Sequence, residues 1–233
     1  MSVTLNNIGI SIATGSESTL LDGLMGYWKL NESSGNAVDS SGNGYTGTSS
    51  NITYNASGKI SRCYTFNGST SKVVLGNIIK PTTALSFSVW TKDGGQSTER
   101  HIISNTIYDT AWRGWRFTRY NDNSVGMLMS NGSTYFDQPY GSNYSNDAWH
   151  HTIFSWNGTM AYFYKDGVKS SGYSWSYTIS YNATHNLTFG ANDSGSQVYD
   201  GEIDEVGIWN RALTDSEASY LYNSGSGLTY PFS

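Results

Sequence analysis

The sequence predicts an all-β fold, a two-sheet antiparallel sandwich with one short helix near its C-terminal end. The stretch Trp149 to Val168 reads as strand, tight turn, strand, tight turn. Asn157-Gly158 and Asp166-Gly167 are dipeptides that accept the positive φ angles of type I′ turns, and aromatic and β-branched residues flank both. Composition points the same way: charged residues are 13% of the chain, aromatic residues 15%, and glycines number 26, the mixture of short strands joined by polar turns. Finally, period-two segments recur along the chain, about ten in all, which is too many for one open layer and implies two stacked sheets.

Taken in order, residues 1–24 alternate only weakly and pass through the polar run Thr14-Gly15-Ser16-Glu17-Ser18. They are expected to form an arm, free or adding a strand to a neighbouring subunit of a homo-oligomer or to another protein of a particle. Residues 25–233 are expected to form one domain, since 233 residues suffice for a single large sandwich and no composition shift divides them. Strands are predicted at 27–30, 62–66, 72–75, 85–92, 101–105, 114–120, 125–130, in the two hairpin arms, at 186–190 and at 198–209. In Leu85-Ser86-Phe87-Ser88-Val89-Trp90 the alternation puts Leu85, Phe87 and Val89 on one face and Trp90 on the other, which predicts a central strand covered on both sides. The helix is marked by the capping box Thr214-Asp215-Ser216-Glu217, is expected to begin at Glu217 with Ala218, Leu221 and Tyr222 at helical spacing, and has Gly225 placed to end it.

Several functional classes are disfavoured. A net charge of −5 without a Lys/Arg cluster argues against nucleic acid as a partner. No segment is apolar enough to insert into a membrane as a helix, and the start of the chain lacks the pattern of a secretory signal. One cysteine, Cys63, precludes an internal disulfide and reads as a small core residue. The Asn-x-Ser/Thr triplets at Asn51, Asn67 and Asn186 read as turn and edge residues.

A set of landmarks in fixed order resembles the laminin G-like, pentraxin-like jelly roll of the concanavalin A-like lectin/glucanase superfamily, over roughly Leu24 to Phe232. They are Gly26-Tyr27-Trp28-Lys29-Leu30, the loop Asp39-Ser40-Ser41-Gly42-Asn43-Gly44, Phe66-Asn67-Gly68, Trp90, Trp149-His150-His151 with its Asp-Gly hairpin, and Gly201-Glu202-Ile203-Asp204-Glu205-Val206 continuing to Leu213. The resemblance implies a jelly-roll topology and leaves activity open, because sites rather than folds set function.

The Asp39 and Asn43 side chains supply oxygen donors of the kind calcium takes, among glycines that let carbonyls turn inward. The resemblance implies that a structural Ca2+ joins this loop to the Ile203-Asp204-Glu205 strand, with Asp204 or Glu205 as the second donor. An Asx turn without metal is the alternative. Glu202-Ile203-Asp204 also begins the Glu-x-Asp-x-Glu signature of family 16 glucanases, and there the match fails. Retaining hydrolysis needs two carboxyl groups about 5–5.5 Å apart, yet Val206 and Gly207 stand where the second is required and alternation turns Glu205 to the other face. His101, His150, His151 and His185 show no metal or triad spacing and read as strand histidines.

Sugar sites pair aromatic platforms with polar side chains. The candidates are Tyr108, Trp112 and Trp115; Tyr135, Tyr140 and Tyr144; and Trp175, Tyr177 and Tyr181, of which Trp115 and Trp175 suit a core equally well. Together these features predict a non-enzymatic recognition or adhesion module for a carbohydrate or cell-surface receptor. The arm and the single-domain format resemble lectin-like proteins of bacteriophage particles, which implies a virion-surface or extracellular location. A structural role decorating a particle without sugar binding is the alternative, and a glucanase the remaining one.

Overall fold

The computed structural model describes residues 19–95, 97–106, 112–141, 144 and 147–232. The expectations for residues 1–18 and for Tyr108 therefore lie outside the described residues. In chain order the strands are β1 (Leu24–Trp28), β2 (Thr48–Ser50), β3 (Thr53–Ser57), β4 (Arg62–Asn67), β5 (Lys72–Gly76), β6 (Leu85–Asp93), β7 (Arg100–Ser104) and β8 (Arg113–Arg119). They continue as β9 (Val125–Asn131), β10 (Tyr135–Tyr140), β11 (Trp149–Trp156), β12 (Met160–Lys165), β13 (Val168–Lys169), β14 (Tyr173–Ser174), β15 (Leu187–Phe189) and β16 (Asp200–Trp209), followed by helix α1 (Asp215–Tyr222).

These strands make two antiparallel sheets. The first runs β13-β12-β11-β6-β16-β4-β3, with β1 also on β16 and β14 on β12; the second runs β10-β9-β8-β7-β15-β5-β2. Side chains from both inner faces fill the space between, among them Trp28, Phe66, Phe87, Trp115, Phe117, Phe154, Trp156, Phe163 and Phe189. Trp115 and Trp175 are thus core residues, as one reading of the sequence allowed.

β6 lies between β11 and β16, and Leu85, Phe87 and Val89 face the inter-sheet core. Its other face is closed as well. Leu20, Tyr27, Ile153, Tyr164, Trp209, Leu213, Ala218, Leu221 and Phe232 form a second apolar cluster where the C-terminal segment lies on the outside of the first sheet. Trp90 stacks on His151 at 4.7 Å and on Tyr222 at 6.0 Å. The serines on this face are buried and used: Ser86 Oγ donates to the Arg211 carbonyl (2.7 Å), Ser155 Oγ donates to the Leu213 carbonyl (3.0 Å), and both accept from the Leu213 amide.

Three local expectations need correction. Asp166 (φ 50°) and Gly167 (φ 81°) both take positive φ and make the expected two-residue turn, but at the other hairpin only Gly158 does so. There the Asn157 side-chain oxygen accepts the Thr159 and Met160 amides at 3.0 and 2.9 Å, so a three-residue loop replaces the type I′ turn. Tyr135 to Tyr140, not among the predicted strands, is an edge strand, which explains how Pro139 is tolerated. The helix begins at Asp215, two residues early, and ends at Asn223 in the left-handed conformation rather than at Gly225.

The capping box is present. Glu217 N donates to Thr214 Oγ1 (3.2 Å), Thr214 N donates to Glu217 Oε2 (2.8 Å), and Arg211 donates to both Glu217 oxygens (2.6 and 2.9 Å). Burial would raise the Glu217 carboxyl, but the Arg211 fork and the Thr214 amide outweigh it and hold it down to about 2. The stability that this group contributes is therefore complete above its ordinary value of 4.5 and is lost as pH falls from there toward 2. Glu217→Gln is expected to cost about 1–2 kcal/mol at pH 7. In urea titrations repeated down the pH scale, the difference from wild type should vanish at the acid end of that window; a difference constant across it would contradict the assignment.

Candidate functional site

The acidic loop is a hydrogen-bonded turn. Asp39 Oδ1 accepts from the Tyr27 amide (3.1 Å), the Ser41 amide (2.9 Å) and the Ser41 hydroxyl (2.7 Å), and Oδ2 accepts from the Tyr45 amide (3.0 Å). Burial opposes ionisation here, but these donors prevail and the carboxyl lies below its ordinary range. Asn43 Nδ2 donates to the carbonyls of Leu24 (3.2 Å) and Met25 (3.0 Å), tying the loop to β1.

β16 carries the other carboxylates, and a bulge decides where they point. Its register slips between Asp204 and Gly207, and Glu205 has φ 51°. With one extra residue in the strand, Ile203, Val206 and Ile208 face the core while Asp204 and Glu205 both fall outside it, so the expectation from alternation that Glu205 opposes Asp204 is corrected. Asp204 Oδ2 accepts from the Ile60 amide (2.9 Å), and Glu205 Oε2 accepts from the Tyr27 hydroxyl (2.6 Å). Burial pushes Asp204 up to about 8 and Glu205 up to about 7.

These residues do not fit a shared calcium. Calcium takes 6–8 oxygens, whereas both Asp39 oxygens face the positive ends of N–H and O–H dipoles. The Asn43 amide group is turned toward the β1 carbonyls of Leu24 and Met25, to which it donates. Tyr27 separates the two acidic regions, its amide on Asp39 and its phenol on Glu205. Among the described residues no group of three or more His, Cys, Asp or Glu is placed to hold a metal. Glu202 lies 3.6 Å from Lys92 and lines a rim groove with Lys92 and Asp200, whereas Asp204 is sealed beneath the 58–60 backbone, so the two carboxylates do not flank a common groove that could seat a glycosidic bond.

The outer face of the second sheet differs from that of the first. Cross-strand pairing aligns Asp137, Leu128, Arg116, Ser104, Thr188, Val74 and Thr48 in one row from β10 to β2. In the next row Thr118 pairs with His101. Trp115 and Phe117 fill the core, so Arg116 and Thr118 must face outward from β8. Arg116 is nonetheless only 4% exposed and His101 1%. Trp112 lies over the guanidinium, its ring centroid 4.5 Å from Cζ, and Glu99 Oε1 stands 2.9 Å from Arg116 Nη2 and 3.7 Å from His101 Nε2.

On β7 and β8 and in the turn after β7, several enclosed polar atoms have no hydrogen-bond partner: Arg116 Nε and Nη1, both ring nitrogens of His101, Thr118 Oγ1 and Thr106 Oγ1. Native interiors rarely leave so many such atoms together. Burial drives the His101 pKa down, Arg116 adds to that, and Glu99 opposes it, leaving a neutral imidazole. His101 and Arg116 in turn hold the Glu99 carboxyl below its ordinary range.

The aromatic candidates divide cleanly. Tyr135 is 60% exposed and pairs with Ser130 beside Gly114. Ser130 Oγ donates to the Trp112 carbonyl (2.7 Å), so Tyr135 and Trp112 belong to one end of this face. Tyr177 is 51% exposed in a segment anchored there through Ser180, whose amide donates to the Ser130 carbonyl. Tyr181 spends its hydroxyl on the Pro81 carbonyl. Tyr144 is not a platform: it is 2% exposed and hydrogen-bonded to Thr152. Tyr140 stacks on Phe163 at 4.8 Å with its ring half-buried. His101 is a buried strand histidine, as expected, but its place in this cluster was not foreseen, and Glu99, Arg116 and Thr118 were not among the expected residues, although alternation with Trp115 and Phe117 places Arg116 and Thr118 outside the core.

Elsewhere the histidines are structural. His151 stacks with Trp90 and Tyr222, which also stack on each other, meets Ser88 Oγ at 2.8 Å, and is pushed by burial down to about 3. His150 Nδ1 meets Asp166 Oδ2 at 2.7 Å. Cys63 is a buried core thiol, raised by burial to about 12. No helix among the described residues is long and apolar enough to cross a membrane.

The chain belongs to the concanavalin A-like lectin/glucanases superfamily, whose laminin G-like model matches residues 67–219. No curated protein sequence matches it. Among solved structures it is similar to the binding domain of Paraclostridial Mosquitocidal Protein 1, with TM-score 0.71, 18% identity, and 88% of this chain and 53% of that chain covered. It is similar to domain 4 of AbnA, an extracellular arabinanase of Geobacillus stearothermophilus in complex with arabinotriose, with TM-score 0.63, 22% identity, and 84% of this chain and 96% of that chain covered. The botulinum neurotoxin serotype D binding domain gives TM-score 0.67, 15% identity, and 87% and 52% coverage. The chain thus spans about half the length of the toxin domains, and these identities establish the fold alone.

Because both Asp39 oxygens already accept hydrogen bonds from protein donors and Tyr27 separates them from Glu205, EDTA is expected to leave the melting temperature unchanged in a calorimetric scan. A drop reversed by calcium would show that the domain folds around a metal after all.

Proposed function

We propose that this chain is a non-catalytic recognition module that binds carbohydrate on the outer face of its second sheet. The observation that carries this reading is the juxtaposition on that face of Trp112 and exposed Tyr135 with an enclosed polar cluster in which Arg116, His101 and Thr118 keep unpaired atoms, a cluster that becomes a pocket when the Trp112 ring moves aside. Sugars offer apolar C–H faces to aromatic rings and hydroxyls to such atoms, and a buried polar atom left alone costs free energy that a bound hydroxyl recovers. The arabinotriose complex of the AbnA domain, a match along nearly its whole length, supports a glycan as partner. The extracellular setting named for that enzyme supports action outside the cell or on a particle surface.

The absence of enzymatic activity belongs to the same proposal. Arg116, His101 and Glu99 form no nucleophile-and-base set, and Asp204 is buried away from any groove. Glycan-array screening of the purified chain should retain one or more oligosaccharides without releasing reducing sugar. Trp112→Ala and Tyr135→Ala should each weaken retention about tenfold, the equivalent of about 1.4 kcal/mol. Binding to no glycan, or hydrolysis of the retained one, would overturn the reading.

A further inference from the structure

We propose that Glu99 is the charge selector of the pocket beneath Trp112, restricting it to uncharged sugars; the inference rests on the carbohydrate reading above. Arg116 is the enclosed cation, and Glu99 already neutralises it at 2.9 Å. Burial keeps His101 neutral, so the pocket carries no net charge before a ligand arrives. Along the same row, Asp137 accepts a hydrogen bond from Tyr120 (2.5 Å) and adds a second carboxylate to this face. A uronate or sialate carboxylate entering here meets Glu99 and Asp137 with no spare cation in the pocket, and a desolvated charge without a partner is strongly disfavoured.

The unpaired atoms define the complementary ligand. Arg116 Nε and Nη1 can only donate, neutral His101 offers one donor and one acceptor, and the Thr118 and Thr106 hydroxyls do both. Adjacent sugar hydroxyls match that mixture, because each can accept from the guanidinium while donating to the imidazole or to Glu99. The Trp112 indole covers the guanidinium, so the sugar ring takes its place or shifts it as the hydroxyls reach Arg116.

The test compares matched acidic and neutral glycans, sialyllactose against lactose and tetragalacturonate against its methyl ester, on an array and then by calorimetric titration. Wild type should bind the neutral member of a pair at least about tenfold more tightly. Glu99→Gln, which leaves Arg116 uncompensated, should remove or reverse that preference, and Glu99→Asp should keep it. Thr118→Val should weaken both members alike, and near-UV circular dichroism checks that each variant is folded. Wild-type preference for the acidic member overturns the inference whatever the variants do. A preference unchanged in folded Glu99→Gln overturns it too, while leaving the carbohydrate reading intact. Binding of no glycan by wild type overturns both.

Discussion

The structure depends on the central antiparallel ladder in which β6 is held between β11 and β16 and is buried on both faces. Leu85, Phe87 and Val89 bind the two sheets together across the core, while on the reverse side Ser86 and Trp90 receive the C-terminal segment and Ser88 meets His151. Such a strand leaves no backbone group without a partner and no face for water, and large aromatic side chains on either side contribute the greater part of the burial. A consequence follows for the rest of the molecule. With the outer face of the first sheet closed by the 211–232 segment and its apolar cluster, the second sheet is the layer whose outer face carries a polar row.

The acidic residues that look like metal ligands are part of this closure. Tyr27 lies on β1 beside β16 and joins the Asp39 turn to Glu205 through its two ends. Asp204 and Glu205 are ejected from the core side by the bulge and are met there by the Ile60 amide and the Tyr27 phenol. They brace the strand against the loops that cover it. Burial raises both carboxyls, so their contribution runs opposite in sign to that of Glu217: it is complete at acid pH and lost as pH rises toward about 7 and 8. The buried His151 acts the other way again, resisting protonation as pH falls from 6.5 toward about 3. The covered face therefore combines opposed titrations, with burial dominating at Asp204, Glu205 and His151 and the Arg211 and Thr214 donors dominating at Glu217.

Much of the fold was legible because period two and turn chemistry are local. The alternation of Leu85 to Trp90 marked the central strand, Asp166-Gly167 marked a two-residue turn, and Thr214 to Glu217 marked the helix start. What was missed required knowledge of what a side chain meets in space. The Asn157 side chain captured two amides and changed its turn, an event that dipeptide identity does not encode. The bulge at Glu205 reversed the facing of Val206 because the loop at 58–60 and Tyr27 offered partners to two consecutive carboxylates. In the candidate site, residue types alone suggested oxygen ligands at Asp39 and Asn43 but not that amides already pointed at them. Tyr144 carried the right chemistry for a platform and was taken by the core. The outward direction of Arg116 could have been read from Trp115 and Phe117, but its enclosure by Trp112 and its ion pair with Glu99 belong to tertiary structure.

On the proposed reading, the outer face of the second sheet, rather than the rim or the covered face, is where this chain meets its ligand. A crystal structure of the chain with a bound oligosaccharide tests it directly. Sugar density is expected against Trp112 and Tyr135, with hydroxyls within hydrogen-bond distance of Arg116 and His101. Density seated instead in the rim groove between Lys92 and Asp200, or beside helix α1, with the Arg116 pocket unchanged, would contradict it.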